Sequence, residues 1–251
     1  MAESPFHLLA KPIGPICNLD CHYCYYLHTE DLYGRGTRWQ MSDSHLESFI
    51  RQYIESQPLH AREVEFVWQG GEPTLLGLNY FQNAIRLQKL HARAGMTVRN
   101  CLQTNGLLLD ESWCRFLREN NFLVGLSIDG PPELHNAYRV DRQHKPSLPA
   151  VLQALQLLQS ERVEFNVLVC VHRANGDHGR EVYRYLRELG CRHIQFIPIV
   201  ERRDAGRHAE AAAASDSPSS FPMSDAENAV SSRSVLPQQF GKFLISVSTN
   251  G

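Results

Sequence analysis

Three closely spaced cysteines give the most specific indication of chemistry in this chain. Cys17, Cys21 and Cys24 form a C-x3-C-x2-C array within residues 11–27. A cubane 4Fe-4S cluster prefers soft thiolate ligands, so three thiolates leave one iron free to bind something other than protein. The array therefore indicates an iron-sulfur cluster with one open coordination position.

A structural zinc site is the alternative interpretation of these cysteines. Such a site needs a fourth Cys or His ligand at similar spacing, and His22 and His28 lie close enough in the sequence to serve. Closed zinc sites usually come as paired C-x2-C units, however, and this chain has no second unit. The spacing alone favours the cluster but leaves zinc open.

The composition limits the classes of function. The chain has 251 residues, enough for one sizeable domain, and 25 basic against 27 acidic residues. This balance is not that of a general nucleic-acid or membrane-surface binder, and no apolar run is long enough to span a bilayer. The first residues do not match a secretory signal, so a reducing, cytoplasmic location is expected. The four scattered cysteines are expected to be small buried side chains: Cys101, Cys114, Cys170 and Cys191.

Short apolar runs alternate with amphipathic segments, which predicts an α/β fold built from βα units around a parallel sheet. The predicted strands are 7–11, 64–68, 97–103, 122–128, 164–171 and 193–199. The predicted helices are 44–55, 78–94, 111–120, 148–160 and 179–189. Residues 1–200 are expected to form the core, 201–232 a flexible Ser/Ala/Pro-rich loop, and 233–251 a final helix.

Polar motifs follow the predicted strands at the points where each strand ends. In parallel sheets ligands gather at these carboxyl ends. After the second strand comes Gln69-Gly70-Gly71-Glu72-Pro73-Thr74, whose glycines let the backbone approach a ligand closely. A Gly-Gly turn followed by Pro is also an ordinary loop. Its place one strand after the cysteines favours a ligand-binding role.

The later strands end in further polar groups. Gln103-Thr104-Asn105-Gly106 follows the third strand, and its Asn-Gly pair is also an ordinary turn former. Ser127 ends the fourth strand, where a small hydroxyl can reach a ribose or a carboxylate, and an Asp-Gly turn follows it. Arg139 supplies a cation that matches a carboxylate with two parallel hydrogen bonds. Residues 196–200 end the sixth strand as an apolar wall suited to an adenine ring.

The order of these motifs resembles that of the radical S-adenosylmethionine (radical SAM) enzymes, and it is most similar to the anaerobic sulfatase-maturating enzymes. The likeness covers the cysteine array, the Gly-Gly-Glu-Pro motif, Leu-Gln-Thr-Asn-Gly, Ser-Ile-Asp-Gly-Pro and His-Asn-x-x-Arg, over about residues 7–200. The resemblance implies a partial (β/α)6 barrel of the radical SAM type, with a 4Fe-4S cluster and S-adenosylmethionine as cofactors.

The resemblance also implies roles for individual residues. The cluster ligands would be Cys17, Cys21 and Cys24. S-adenosylmethionine would be bound by Tyr23, Gly70, Gly71, Glu72, Ser127, Arg139 and Val200. Tyr26, Gln69 and Gln103 would face the substrate and form the catalytic cavity.

The activity implied is oxidation of a Cys or Ser of a sulfatase to Cα-formylglycine through a 5′-deoxyadenosyl radical. The partners implied are a sulfatase polypeptide and a reduced electron donor such as a flavodoxin or ferredoxin, with no nucleic acid and no membrane. The relatives continue into a cysteine-rich C-terminal region called SPASM, whereas this chain has no cysteine after Cys191, so a truncated chain is expected. The alternatives are another radical SAM peptide-modifying enzyme and an inactive fragment.

Overall fold

The computed structural model describes residues 2–26, 29, 39–202 and 230–249. Its strands are β1 (Leu8–Ala10), β2 (Glu63–Trp68), β3 (Thr97–Thr104), β4 (Phe122–Ser127), β5 (Glu164–Val171) and β6 (Ile194–Pro198). Its α-helices are α1 (Asp43–Ser56), α2 (Leu78–His91), α3 (Glu111–Glu119), α4 (Pro132–His135), α5 (Leu148–Ser160), α6 (Gly179–Glu188) and α7 (Pro237–Ser248).

The strands form one six-stranded sheet in the order β1-β2-β3-β4-β5-β6. The pairs β1/β2, β2/β3 and β3/β4 are parallel, with Ala10 opposite Trp68 and Trp68 opposite Leu102. Chain order and sheet order coincide because each strand is followed by a connection that returns to the same edge. The carboxyl ends of β1 to β4 therefore lie side by side, and the loops that carry the motifs meet there.

The chain divides into two compact units. The first unit comprises Met1–Ile128 and Arg139–Val167, and the second comprises Asp129–Tyr138 and Leu168–Gly251. The boundary falls within β5, so β1 to β4 and the cysteine array belong to the first unit.

An aromatic core supports the β2 and β3 ends in the first unit. The rings of Phe66 and Trp68 stack with centroids 5.9 Å apart, and Phe81 of α2 meets Trp68 edge-on at 5.7 Å. Trp68 Nε1 donates to Asn100 Oδ1 at 2.8 Å, and Asn100 and Gln88 exchange two hydrogen bonds at 2.8 and 2.9 Å. These hydrogen bonds between buried side chains hold β2, β3 and α2 in fixed positions relative to one another.

The second unit has its own apolar packing. Phe196 of β6 meets Phe243 of α7 edge-on, with ring centroids 5.0 Å apart. A Cβ on Gly179, at the start of α6, would lie 2.7 Å from the carbonyl oxygen of Phe243. Glycine at this position therefore allows α6 and α7 to approach each other closely.

All six predicted strands and five predicted helices are confirmed as elements, with ends that differ by a few residues. The predicted helix 78–94 is too long, because α2 ends at His91 and Gly95 lies in the turn after it, with φ +76°. Ser42 is the N-cap of α1 and Asp110 that of α3, and each side chain accepts a hydrogen bond from a backbone N–H of its helix. Most of the predicted flexible loop at 201–232 lies outside the described residues. No helix among the described residues is both long and apolar enough to cross a membrane.

Candidate functional site

The cysteine array lies on the loop that leaves β1. Backbone hydrogen bonds close tight turns along it, from Gly14 N–H to the Lys11 carbonyl at 3.0 Å and from Cys24 N–H to the Cys21 carbonyl at 2.8 Å. Cys21 is buried, whereas Cys17 and Cys24 are partly exposed. These turns belong to the short stretch of backbone that carries the three thiols.

Several groups donate hydrogen bonds to Cys17, and its thiol donates one to Asn18 Oδ1 at 3.8 Å. Its sulfur accepts from Leu19 N–H at 3.4 Å and from Asn105 Nδ2 at 3.7 Å, and its carbonyl accepts from Arg142 Nε at 2.9 Å. Burial raises the pKa of the Cys17 thiol to about 11, and the charge of Glu72 adds to the shift, whereas the Leu19 N–H lowers it. A metal must therefore displace the thiol proton, and the N–H groups stabilise the thiolate that results.

The Gly-Gly-Glu-Pro loop after β2 packs directly against the cysteine loop. Gly71 N–H donates to the Gly14 carbonyl at 2.7 Å, and Glu72 N–H donates to the Ile16 carbonyl at 2.8 Å. A Cβ on Gly70 would lie 2.8 Å from the Gly14 oxygen, and one on Gly71 would overlap the Ile16 carbonyl. Glycine is required at both positions because the backbone there touches the backbone of residues 14–16. Residues 14–16 lead directly into Cys17.

Glu72 is a buried carboxylate that joins the β2 loop to the β3 loop. It is 1% exposed, and its oxygens accept from Thr74 N–H at 3.1 Å, Thr74 Oγ1 at 2.7 Å, Thr104 Oγ1 at 2.8 Å and Asn105 N–H at 2.8 Å. Burial raises the pKa of Glu72, and these hydrogen bonds act in the opposite direction. All four donors belong to the protein, so the carboxylate's visible role is to hold the two loops together.

Two further pairs connect predicted cofactor residues to their surroundings in the first unit. The Arg139 guanidinium is buried, and its central carbon lies 5.5 Å from the centroid of the Tyr23 ring. Ser127 Oγ accepts from Gln103 Nε2 at 3.0 Å. The structure thus brings a residue predicted to face the substrate, Gln103, next to one predicted to bind the cofactor.

The remaining predicted site residues are Tyr26, Gln69 and Val200. Lys11 Nζ lies 5.0 Å from the centroid of the Tyr26 ring, and Gln69 N–H donates to the Ala10 carbonyl at 2.8 Å. Val200 belongs to the second unit and is 67% exposed. The roles given to these three residues, like those of the other predicted site residues, stay predictions.

Sequence reasoning missed two residues that contact Cys17. The sequence predicts Asn105 only as part of an Asn-Gly turn, and it gives no role to Arg142. Asn105 directly follows β3, as Gln69 directly follows β2, and this position at the carboxyl end of a strand is a signal that could have identified it. No pattern in the sequence relates Arg142 to the Cys17 carbonyl.

The donor set fits an iron-sulfur cluster. In a cubane each thiolate binds a different iron, so the three sulfurs need not converge on one point. Among the described ranges, no three His, Cys, Asp or Glu side chains are grouped closely enough to hold a single metal ion. His22 is exposed, with its ring centroid 6.4 Å from that of His144, and His28 lies outside the described residues.

The chain is similar to a known protein family and to several known enzymes. The family model of the radical SAM superfamily matches residues 12–186. A serine-type anaerobic sulfatase-maturating enzyme of Bacteroides thetaiotaomicron is 42% identical over 246 residues, which are 97% of this chain and 56% of the relative. A cysteine-type enzyme of Clostridium perfringens is 41% identical over 197 residues, 78% of this chain and 52% of the relative. The chain spans about half the length of the curated relatives it matches.

A solved structure gives the same result for the fold. The structure described as native anSMEcpe with bound AdoMet superposes with a TM-score of 0.80 at 34% identity, covering 98% of this chain and 60% of that one. The expected partial (β/α)6 barrel is confirmed by this match. The superfamily uses a 4Fe-4S cluster and S-adenosylmethionine, in agreement with the predicted cofactors. With a family model that covers most of its length and motifs in the expected order, the chain belongs to the radical SAM superfamily.

Proposed function

We propose that this chain is the radical SAM core of an anaerobic sulfatase-maturating enzyme, which oxidises the Cβ of a Cys or Ser in a sulfatase to give Cα-formylglycine. The observation that carries the proposal is the contact between the cysteine loop and the Gly-Gly-Glu-Pro loop, where Gly71 and Glu72 N–H groups donate to the carbonyls of Gly14 and Ile16. The identity of 41–42% to serine-type and cysteine-type enzymes supports the same activity and leaves both targets open.

The residues that would hold the cofactors come from several loops. Cys17, Cys21 and Cys24 would ligate the cluster, and the bound pair of cofactors would supply a 5′-deoxyadenosyl radical that abstracts hydrogen. Arg139 would pair with the carboxylate of S-adenosylmethionine, and its burial strengthens such a pair. The other residues proposed to contact this cofactor are Tyr23, Gly70, Gly71, Glu72, Ser127 and Val200.

The substrate-facing role of Tyr26, Gln69 and Gln103 belongs to the same proposal. Gln103 donates one amide hydrogen to Ser127 Oγ at 3.0 Å, so its carboxamide is held by a neighbour on β4. Such a fixed amide can position a peptide backbone beside the ribose-binding hydroxyl. The Tyr26 ring is held beside the Lys11 ammonium, whose nitrogen lies 5.0 Å from the ring centroid.

The partners follow from the proposed reaction. The substrate would be a sulfatase polypeptide, and each turnover would need an electron from a reduced flavodoxin or ferredoxin. We propose a cytoplasmic location, because the cluster requires a reducing compartment.

The test is anaerobic reconstitution of the full chain with iron and sulfide, followed by dithionite reduction in the presence of S-adenosylmethionine. We expect 5′-deoxyadenosine to form with the wild type and not with Cys24→Ala. Cys101→Ser is the matched control, because Cys101 lies outside the array and serine retains the hydrogen bond that its Sγ donates to Glu65 at 3.3 Å. No 5′-deoxyadenosine above the Cys24→Ala level would refute the proposal.

The substrate is tested by adding sulfatase-derived peptides that carry Cys, Ser or Ala at the target position. An aldehyde, trapped with a hydrazide and detected by mass spectrometry, is expected on the Cys or Ser peptide and not on the Ala peptide. Formation of 5′-deoxyadenosine without any aldehyde would instead favour another radical SAM peptide-modifying activity.

A further inference from the structure

Asn105 presents the N–H side of its amide to the cysteine loop. Its Oδ1 accepts from Leu107 N–H at 3.0 Å, and because a backbone N–H can only donate, this contact fixes which end of the amide is the oxygen. Its Nδ2 donates to Asn18 Oδ1 at 2.8 Å and to Cys17 Sγ at 3.7 Å. The amide nitrogen thus donates to Cys17, the first cysteine of the array, and to Asn18 beside it.

The backbone of Asn105 is held as firmly as its side chain. Asn105 N–H donates to Glu72 Oε2 at 2.8 Å, while Glu72 Oε1 is occupied by Thr74 and Thr104. Asn105 and Glu72 are both buried, so water does not compete strongly for these hydrogen bonds. A fully paired buried carboxylate therefore sets where the Asn105 amide lies relative to Cys17.

A hydrogen bond to a cluster ligand has an electrostatic effect on the cluster. A Cys17 thiolate bound to iron has no proton and can only accept, so its sulfur would receive the Asn105 and Leu19 N–H groups. Donors to ligand sulfurs stabilise the more negative, reduced cluster and raise its reduction potential. The Leu19 donor is backbone, whereas the Asn105 donor can be removed by substitution.

We propose that Asn105 is a positioning residue for the cluster, whose amide donates to the Cys17 sulfur and makes the cluster easier to reduce. This inference rests on the proposed function, because it requires a cluster at Cys17. By this inference the Asn-Gly turn after β3 supplies a hydrogen-bond donor to the cluster ligand. Glu72, which accepts from Asn105 N–H, holds that amide in place.

The experiment measures the midpoint potential of the reconstituted full chain by a redox titration followed by electron paramagnetic resonance. Two variants are compared with the wild type. Asn105→Ala removes the donor, and Asn105→Asp keeps the acceptor for Leu107 N–H but replaces the donor by a carboxylate oxygen. Asn83→Asp is the matched control, since it makes the same change of charge on a partly exposed residue of α2, whose side chain contacts Asp43 and Arg86.

At a fixed applied potential, we expect the ratio of reduced to oxidised cluster to fall about tenfold in Asn105→Ala, which for one electron is a potential lower by about 59 mV. Asn105→Asp should lower it further because of its negative charge, and Asn83→Asp should leave it unchanged. The iron and sulfide content of every sample is measured alongside the potential.

Three outcomes overturn the inference. Asn105→Ala could hold a full cluster at the wild-type potential, or at a higher one. Both Asn105 variants could lose the cluster while Asn83→Asp retains it, in which case the residue serves folding and not the potential. A wild type that binds no iron-sulfur cluster would remove the proposed function as well, whereas the first two results leave that function standing.

Discussion

The substitution Gly71→Ala tests whether the two loops of the site depend on direct backbone contact. The added Cβ would overlap the Ile16 carbonyl and lie 2.6 Å from the carbonyl carbon of Pro15, so the loops must separate. Both atoms belong to backbone next to Cys17, so rotation of a side chain cannot relieve the overlap. The separation would break the hydrogen bonds from Gly71 N–H to Gly14 and from Glu72 N–H to Ile16.

The magnitude follows from these contacts. Overpacking costs about 1–3 kcal/mol, and each lost backbone hydrogen bond costs about 1 kcal/mol more. The free energy of unfolding should fall by roughly 3–5 kcal/mol, a large part of the ~5–15 kcal/mol typical of native proteins. Cluster content after reconstitution should fall with it, because the displaced segment leads into Cys17.

The assay is urea unfolding of the anaerobic protein, with iron content measured on the same samples. Gly241→Ala is the control, since nothing lies within 4 Å of the position of its added Cβ and α7 should gain about 0.5–1 kcal/mol from the better helix former. A Gly71→Ala protein that unfolds at the wild-type urea concentration and loads a full cluster would refute the argument that the loops are in contact.

Two other predictions concern the interior. Asn100→Ala should lower the free energy of unfolding by about 2–4 kcal/mol, because it leaves Trp68 Nε1 and Gln88 without their buried partner. Asn83→Ala, at a partly exposed site, should change the urea midpoint little, and equal midpoints for the two variants would contradict this. Burial raises the pKa of the thiols of Cys114 and Cys191 from 9.0 to about 11 in each case. The folded chain therefore keeps protons that the unfolded chain loses, and stability should fall as the pH rises from 9 to about 11. The fall in urea midpoint should be smaller in Cys114→Ala, and a midpoint that rises over this range would exclude the explanation.

Much of the fold could be predicted because the sheet is regular. In β2 to β5 the apolar and β-branched residues fall in short runs, and the helices between them have apolar residues at three- and four-residue spacing. Helix ends set by a side-chain cap, such as Asp110 accepting from Trp113 N–H at 2.8 Å, were found correctly. The end of α2 was not, because the chain leaves the helix at Ala92 without a glycine or proline.

The site was predictable where the spacing of residue types carries the chemistry. The three cysteines and the two glycines fall in this class, since a cluster needs thiols and a close approach needs glycine. The role of Asn105 could not be read from the sequence, because its contact with Cys17 joins positions 88 residues apart. The same holds for Glu72, whose partners Thr104 and Asn105 come from another strand.

The central claim is that the cysteine array holds a cluster with one iron open to S-adenosylmethionine. The most direct measurement is the electron paramagnetic resonance spectrum of the reduced, anaerobically reconstituted chain with and without S-adenosylmethionine. The account predicts a 4Fe-4S signal that changes when S-adenosylmethionine is added and that is lost in Cys24→Ala. A signal unaffected by S-adenosylmethionine, or tetrahedral zinc in place of iron at Cys17, Cys21 and Cys24, would contradict it.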